Sequence, residues 1–236
     1  MQRQGKNDVQ AIPQYKLLTG DALLQLRFIK SESIDCVFTS PEPPINHNEM
    51  RALITIMLEL PRILKPTGSI WVNMSDYHNA DGVLSIIPER FVHTMVVVYD
   101  WQLMNTIIWD RPAPFDTSNP GRRFRRTHEY LYWFVKDVDN YYFNQLAPHR
   151  YGTIITSAYK PPEPGVFESG FPTDLIARTA LYTCPIDGRI LDPFCGTGTT
   201  GVVALQHGRE FLGIEIDERR INKIRARLDK SCLTIR

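Results

Sequence analysis

The sequence predicts an α/β fold, in which seven strands form a mostly parallel sheet covered by helices on both faces. Two observations carry this prediction. Short apolar runs rich in β-branched residues alternate with stretches in which apolar residues recur at helical spacing. Near the carboxyl end, a strand, a glycine-rich turn, a helix and a second strand follow one another, and each of these strands ends in an acid.

The elements follow in order from local patterns. The predicted strands are Tyr15 to Thr19, Ile34 to Thr39, Ser69 to Asn73, Gln102 to Trp109, Glu129 to Val135, Arg189 to Asp192 and Phe211 to Ile214. The predicted helices are Ala22 to Phe28, Glu49 to Leu64, Pro88 to Val98, one from Thr173, Thr200 to His207 and Asp217 to Leu228.

Two of these helices carry a specific expectation. Met50, Leu53 and Met57 recur at helical spacing in the second, which Pro61 should kink or end early. Pro88 suits the first turn of the third helix, but its Val96 to Val98 end is ambiguous between helix and strand.

Composition points to one globular domain inside a cell. The chain has 236 residues, 43% of them hydrophobic and 22% charged, and a net charge of +1. It shows no signal segment and no run long enough to span a membrane, so we expect a cytoplasmic protein. The four cysteines and six histidines have neither disulfide nor metal-site spacing, so no metal is predicted. Residues 1–13 are interpreted as a loose tail and 14–236 as the domain.

The position of the glycine-rich unit constrains the topology. Only residues 216–236 follow Glu215, enough for one helix. The rest of the sheet must therefore come from residues before 189. The usual order of a nucleotide-binding fold is predicted to be rotated, with the cofactor half last.

The glycine-rich turn itself is suited to a ligand. Gly196 and Gly198 allow a tight turn and close approach of a ligand to the backbone. The helix that follows offers backbone amides and a positive dipole end to an anion, and Glu215 can accept hydrogen bonds from two ribose hydroxyls. The turn also fits the dinucleotide pattern G-x-G-x-x-G, although a nicotinamide enzyme usually carries that pattern early in its domain.

Several segments together resemble the permuted, S-adenosylmethionine-dependent amino-methyltransferases of DNA. Asp192-Pro-Phe-Cys-Gly-Thr-Gly-Thr-Thr resembles the cofactor motif of that family, and Ile34-Asp-Cys-Val-Phe-Thr-Ser-Pro41 resembles its catalytic strand and loop. Leu18-Thr-Gly-Asp-Ala22, Gly68-Ser-Ile-Trp-Val-Asn73, Asn105 to Trp109, Thr127 to Leu131 and Gly170-Phe-Pro172 resemble its other core segments, so the likeness covers nearly the whole chain. The resemblance implies a circularly permuted, Rossmann-like methyltransferase fold.

The resemblance also implies a cofactor site for S-adenosylmethionine, with S-adenosylhomocysteine as product. Its residues are Asp21, Phe171, Asp192, Phe194, Cys195, Gly196, Thr197, Gly198, Thr199, Thr200 and Glu215. Asp21 is expected to accept from the adenine amino group. For Phe171, packing on the adenine ring and ordinary core packing are both open.

The catalytic loop implied by the resemblance is Ser40, Pro41, Glu42 and Pro43. In the family, a polar side chain and the next proline's carbonyl accept the hydrogens of the target amino group. The family's usual loop is Ser or Asp, Pro, Pro and an aromatic residue, and here that aromatic residue is missing. Tyr77, Trp109 and Phe115 are candidate replacements.

Glu42 leaves three alternatives open: an acceptor for the target amino group, a solvated loop carboxylate, or a sign of a catalytically weak DNA-binding module. The intact cofactor motif favours an active enzyme. The serine form of the loop favours the N4 amino group of cytosine in DNA over the N6 group of adenine.

A basic segment is the expected DNA contact. The DNA-binding residues predicted there are Trp109, Arg111, Arg122, Arg123, Arg125 and Arg126. The basic last helix is interpreted as a solvated face. The partner is expected to be double-stranded DNA with a flipped target base. Only small recognition insertions fit, at about 110–127 and 145–170, so either the recognition sequence is short or a second copy of the chain helps in a homodimer.

Overall fold

The computed structural model of the chain describes residues 14–112, 123–145, 152–157 and 172–233. Its elements in chain order are β1 (Tyr15–Thr19), α1 (Ala22–Leu26), β2 (Ile34–Thr39), α2 (His47–Met57), α3 (Leu60–Ile63), β3 (Leu64–Met74), α4 (Ile87–His93), β4 (Gln102–Asp110), β5 (His128–Val135), β6 (Ile154–Thr156), α5 (Thr173–Ala177), β7 (Arg189–Asp192), α6 (Thr199–Gln206), β8 (Glu210–Glu215) and α7 (Glu218–Leu233). A π-helical turn (Thr94–Val98) extends α4, and a 3₁₀ turn (Ala180–Tyr182) follows α5.

The strands form one sheet in the order β1-β8-β7-β2-β3-β5-β4-β6. Strand β5 is antiparallel to both of its neighbours, β3 and β4. The other five pairings are parallel. Strand β2, from the first half of the chain, therefore lies directly beside β7 and β8 from its end. This arrangement confirms the rotated order, with the cofactor half last.

Both faces of the sheet are covered, as predicted. Successive residues of a strand point to opposite faces. On β2, Cys36 and Phe38 pack in one apolar core with residues of α5, α6 and α7, whereas Val37 packs in a second core with residues of α1 to α4. Trp71 and Trp133, opposite each other on β3 and β5, stack with ring centroids 5.3 Å apart in the first of these cores.

The main departures from the predicted elements have local causes. Asn46 caps α2 by accepting from the backbone N–H of Glu49 at 3.0 Å, so the helix begins at His47. Pro61 lies in the first turn of the separate helix α3, where a proline is tolerated, after α2 has ended at Met57. The run of β-branched valines after His93 forms the π-helical turn rather than a strand.

The sheet has one strand more than predicted. Strand β6, inside the segment interpreted as a loop, is three residues long and pairs in parallel with residues 108–110 of β4. So short a run gives no periodic signal. Within the described ranges, no helix is long and apolar enough to cross a bilayer. The domain limits and the two recognition insertions stay predictions.

Candidate active site

Three adjacent strands end at one edge of the sheet. Parallel strands β8, β7 and β2 finish at Glu215, Asp192 and Thr39, and the loop after β2 begins with Ser40. One cavity of about 590 Å³ at this edge is lined by Ser40, Asp192 and Glu215 together. Ligands of open α/β sheets bind outside the carboxyl ends of the strands, so this is the expected location of a site.

Most of the residues predicted from the sequence line this cavity. They are Asp21, Ser40, Pro41, Glu42, Pro43, Trp109, Arg111, Asp192, Phe194, Cys195, Gly196, Thr197, Thr199, Thr200 and Glu215. Phe171 and Arg122, like the candidate ring Phe115, lie outside the described residues. Tyr77 lies beside the catalytic loop, where its hydroxyl donates to the carbonyl of Pro44 at 3.3 Å.

Asp192 ties the catalytic half of the chain to the cofactor half. It is 2% exposed and accepts three hydrogen bonds, from the hydroxyl of Thr39 at 2.9 Å, the hydroxyl of Thr200 at 2.8 Å and the backbone N–H of Phe194 at 3.1 Å. Burial raises the pKa of this carboxyl to about 6, and the neighbouring Glu215 adds to the shift. The carboxylate therefore fixes the turn before any ligand is present.

The glycine-rich turn has the conformation that its sequence predicts. Gly196 and Gly198 both have positive φ, 56° and 76°, which L side chains rarely adopt. A Cβ on Gly198 would lie 2.8 Å from Cγ2 of Ile224, whereas one on Gly196 would meet nothing closer than 3.7 Å. Gly198 thus permits close packing of α7, and Gly196 leaves room at the cavity wall.

Glu215 closes the turn from the other side. Its carboxylate accepts from the backbone N–H groups of Gly196, at 2.8 Å, and of Asp217, at 2.9 Å. A carboxylate has about four acceptor positions, so two contacts leave capacity for a ligand. Ile216 follows Glu215 and also lines the cavity, although it is 71% exposed. Sequence reasoning did not single out Ile216.

The start of α6 is held by the last helix. The guanidinium of Arg227 donates to the carbonyl of Thr197 and to the hydroxyl of Thr199, both at 2.9 Å. The hydroxyls of Thr197 and Thr199 lie 3.0 Å apart. Arg227 is therefore not part of the solvated face that the sequence predicted for this helix, because its guanidinium supports the glycine-rich turn.

A further wall of the cavity comes from the turn after β1, the strand that pairs with β8. Gly20, Asp21 and Ala22 line the cavity there. Asp21 is exposed and caps α1 by accepting from the backbone N–H of Leu24 at 3.0 Å. The cap fixes the position of the Asp21 carboxylate at the cavity.

The catalytic loop is anchored at its two ends. Ser40 accepts a hydrogen bond from the side-chain amide of Asn73 at 3.3 Å. At the far end, Glu49 of α2 accepts from the backbone N–H of Ile45 at 2.8 Å. Between them Pro41 is buried, whereas Glu42 is exposed and lines the cavity.

Asn73 is part of a buried polar chain that sequence reasoning missed. Its amide nitrogen also donates to Glu129 at 2.6 Å, and Glu129 in turn accepts from the guanidinium of Arg111. The guanidinium carbon of Arg111 lies 4.9 Å from the ring centroid of Trp109, which is 2% exposed. One signal in the sequence could have indicated this contact. Asn73 is a polar residue near the end of the buried strand β3, and Glu129 is a polar residue near the start of β5, the strand beside it.

The predicted DNA-binding arginines fall into two places. Arg111 lines the cavity, whereas Arg123, Arg125 and Arg126 lie in the segment just before β5. Arg125 is exposed, and beside it the ring of Phe124 is 98% exposed. An exposed aromatic ring among arginines is a feature of surfaces that bind nucleic acid.

Cys195 is buried, and burial raises the pKa of its thiol well above its usual value. It therefore stays protonated and packs as a small apolar side chain.

Across the part of the chain that the structure describes, no group of three or more His, Cys, Asp or Glu residues is arranged to hold a metal ion.

Comparisons with known proteins agree with this geometry. Residues 45–226 match the family model of N6 and N4 methyltransferases, described as DNA methylase. The chain is 27% identical to the type II methyltransferase M.Cfr9I of Citrobacter freundii, over 85% of this chain and 83% of that protein. It is 26% identical to the type II methyltransferase M.SmaI of Serratia marcescens, over 86% of this chain and 87% of that protein.

Two solved structures share the fold. The PvuII DNA methyltransferase, described as cytosine-N4-specific, superposes with a TM-score of 0.84 at 17% identity, covering 94% of this chain and 91% of that one. A complex of M1.HpyAVI with SAM superposes with a TM-score of 0.73 at 18% identity, covering 91% of this chain and 99% of that one.

Proposed function

Because the chain belongs to the N6/N4 DNA methylase family, we propose that this DNA methyltransferase uses S-adenosylmethionine to methylate the exocyclic N4 amino group of cytosine. One observation carries the proposal: a single cavity is lined by the catalytic loop at Ser40 and by the strand-end acids Asp192 and Glu215. A methyl donor held by the acids therefore lies in the same cavity as the group that would receive the target amine.

The cavity and its lining residues fit S-adenosylmethionine. The volume of the cavity, about 590 Å³, is in the usual range for sites that bind cofactors of this size. Glu215 would hold the ribose hydroxyls, Asp21 the adenine amino group and the start of α6 the methionyl carboxylate. Ile216 offers an apolar side chain against which the adenine ring would pack. When bound, the cofactor supplies a methyl group already activated by a positively charged sulfur.

The catalytic loop would prepare the target nitrogen. The lone pair of an exocyclic amine is delocalised into the base, and acceptors aimed at its hydrogens release that pair for attack. A hydroxyl oxygen has two acceptor positions, so Ser40 can accept from Asn73 and from the target amine together. The carbonyl of Pro41 would accept the second hydrogen.

The transfer balances without a further reactant. The N4 lone pair would form the new N–C bond, and the electron pair of the broken C–S bond would stay on the sulfur of the donor. The methylated nitrogen would then carry a positive charge, and it would become neutral by losing one N–H proton to solvent by way of the acceptors at Ser40 and Pro41. The protein contributes position and electrostatic stabilisation, which are its main means of catalysis in such a displacement.

Cytosine is supported by the serine form of the loop. The PvuII methyltransferase, whose fold this chain shares, is itself described as cytosine-N4-specific. A second candidate, methylation of adenine at N6, is favoured by one observation: the acidic residue Glu42 lines the cavity together with Ser40. In the family, an acid at the position of Ser40 is commoner among adenine enzymes, and in this chain the acid stands two residues later.

The proposed substrate is duplex DNA with its target base flipped into the cavity, because a stacked base does not expose its amino group to such a site. Arg123, Arg125 and Arg126 would neutralise phosphates beside the cavity, and Phe124 would contact the exposed bases. Help from a second copy of the chain stays a prediction.

The test is the identity of the modified nucleoside. Plasmid DNA incubated with the protein and S-adenosylmethionine is digested to nucleosides and analysed by mass spectrometry. We expect 4-methylcytosine. Only 6-methyladenine would establish the second candidate, and neither product, with measurable binding of cofactor and DNA, would indicate a catalytically weak DNA-binding module.

A further inference from the structure

The catalytic loop brings no aromatic ring to the cavity. After Ser40 and Pro41 it continues with Glu42, Pro43 and Pro44, and Ile45 is largely exposed. A flipped base that finds no stacking surface loses about 1–3 kcal/mol relative to a stacked one. A replacement surface is therefore to be sought on another wall of the same cavity.

We infer that the guanidinium of Arg111, which packs over the ring of Trp109, is the surface on which the flipped target base stacks. This inference rests on the proposed function, since it assigns the base-binding wall of the same cavity. Both residues line the cavity together with Ser40 and Glu42. The guanidinium carbon lies over the indole ring, 4.9 Å from its centroid, so Trp109 packs against the guanidinium.

The position of Arg111 is fixed by backbone and side chain together. It directly follows β4, and its backbone N–H donates to the carbonyl of Thr127 at 2.6 Å. Its guanidinium pairs with the buried carboxylate of Glu129, and Trp109 and Glu129 are opposite each other in the β4–β5 register. The Arg111 side chain keeps 15% of its surface exposed.

Stacking suits this arrangement better than a phosphate contact. A guanidinium is planar, delocalised and weakly hydrated, and it stacks on aromatic rings and on bases. A base on its cavity face leaves the pairing with Glu129 intact. A phosphate at the guanidinium would bring a second anion close to the buried carboxylate of Glu129, and the two negative charges would repel each other.

The same pairing links the base-binding wall to the catalytic serine. Glu129 receives Arg111 on one carboxylate oxygen and Asn73 on the other, and Asn73 donates to Ser40. The proposed stacking surface and the acceptor for the target amine are thus held by one buried carboxylate. A base stacked on Arg111 has a fixed position relative to Ser40.

The experiment is a binding cycle that combines Arg111→Lys with an abasic substrate. Lysine keeps the positive charge of arginine but lacks the planar guanidinium on which a base could stack. The duplex carries the recognition site mapped from methylated plasmid DNA, with either the target base or an abasic sugar at that position. Dissociation constants are measured with S-adenosylhomocysteine present. We expect R111K to weaken binding of the complete duplex about 10-fold and to leave the abasic duplex within about 2-fold.

Controls separate the other roles of Arg111. Arg225→Lys, the same exchange at an exposed position of α7, should bind both duplexes like the unmodified protein. Trp109→Leu, which removes the ring beneath the guanidinium, should reproduce the pattern of R111K if the lysine variant does not fold. Thermal unfolding and affinity for S-adenosylhomocysteine report on the fold itself.

Equal weakening on both duplexes would overturn the inference, because a phosphate contact or a structural ion pair does not depend on the target base. Unchanged binding of the complete duplex by R111K would also overturn it. Absence of methyl transfer by the unmodified protein would instead remove the proposed function.

Discussion

The two walls of the cavity are held to different degrees. On the cofactor wall, Asp192 accepts three hydrogen bonds from the protein and Glu215 accepts two, and both carboxylates are buried. On the target wall, Ser40 is held by one hydrogen bond of 3.3 Å, and Glu42 and Ile45 are exposed. The proposed cofactor wall is thus assembled by the chain alone, whereas the loop at Ser40 presents groups that DNA would complete.

Substitutions on the two walls should therefore change different measured quantities. Changes at the cofactor wall disturb a satisfied network and should alter affinity for the small molecule. Changes at the target wall remove contacts that form only with the base, and should alter turnover or DNA binding.

The largest difference between the effect on turnover and the effect on cofactor affinity is expected for Ser40→Ala. Loss of the acceptor should lower kcat about 100-fold or more, because positioned acid–base groups contribute effects of that size. Affinity for S-adenosylmethionine, measured by calorimetry, should stay the same. The matched control is Ser31→Ala, at an exposed serine that is not among the residues lining the cavity. Equal losses in turnover and cofactor affinity would show that Ser40 belongs to the cofactor wall instead.

Gly198→Ala tests the cofactor wall. Its φ of 76° and the 2.8 Å approach of the new Cβ to Ile224 should distort the turn. We expect cofactor affinity to fall about 10-fold, since a left-handed conformation costs an L residue about 1–2 kcal/mol before any clash. Gly152→Ala, where a Cβ would meet nothing within 4 Å, is the control. A normal affinity for the Gly198 variant would mean that the turn adapts.

The pKa of Asp192 predicts a pH effect on the same wall. Burial raises this pKa to about 6, so the carboxyl is ionised above about pH 6 and protonated below it. A bound sulfonium cation favours the ionised form, and affinity for S-adenosylmethionine should therefore fall about 10-fold between about pH 7 and pH 5. S-adenosylhomocysteine has a neutral sulfur, so its affinity for the protein should fall much less over the same pH range. Parallel titrations of the two ligands across this pH range measure the difference.

The smallest effect concerns the arginines outside the cavity. Arg125→Gln should weaken DNA binding a few-fold and lower the slope of log K against log salt by about 0.9, the contribution of one phosphate. Turnover at saturating DNA should not change. Arg225→Gln removes the same charge from the exposed face of α7 and should leave the slope as it is. Identical slopes for both variants would remove the basic segment before β5 from the interface.

The sequence predicted the fold, and the strand ends that line the cavity, for a physical reason. Strands, glycine turns and strand-end acids are local patterns, and parallel strands bring their carboxyl ends together at one edge. Asp192, Gly198 and Glu215 were therefore recognisable from a short segment. Their meeting with Ser40, across 152 residues of chain from Asp192, followed from the rotated order of the strands.

The target wall was less accessible to such reasoning. Asn73 and Glu129 act through a contact between β3 and β5, which are distant in sequence, and neither residue belongs to a local motif. Arg111 was grouped with its basic neighbours, although its pairing with Glu129 places it in the cavity. Arg227 likewise looked like one charge among several on a solvated helix.

Strand β1 comes first in the chain but lies at one margin of the sheet, where β8 is its neighbour among the described strands. The turn behind it forms a wall of the cavity at Gly20, Asp21 and Ala22. A marginal strand opens locally more readily than a central one, and a ligand that needs it in place opposes that opening. Filling the cavity should accordingly slow deuterium uptake by the backbone amides of residues 15–19, so that the amino-terminal strand reports on events at the carboxyl-terminal motif.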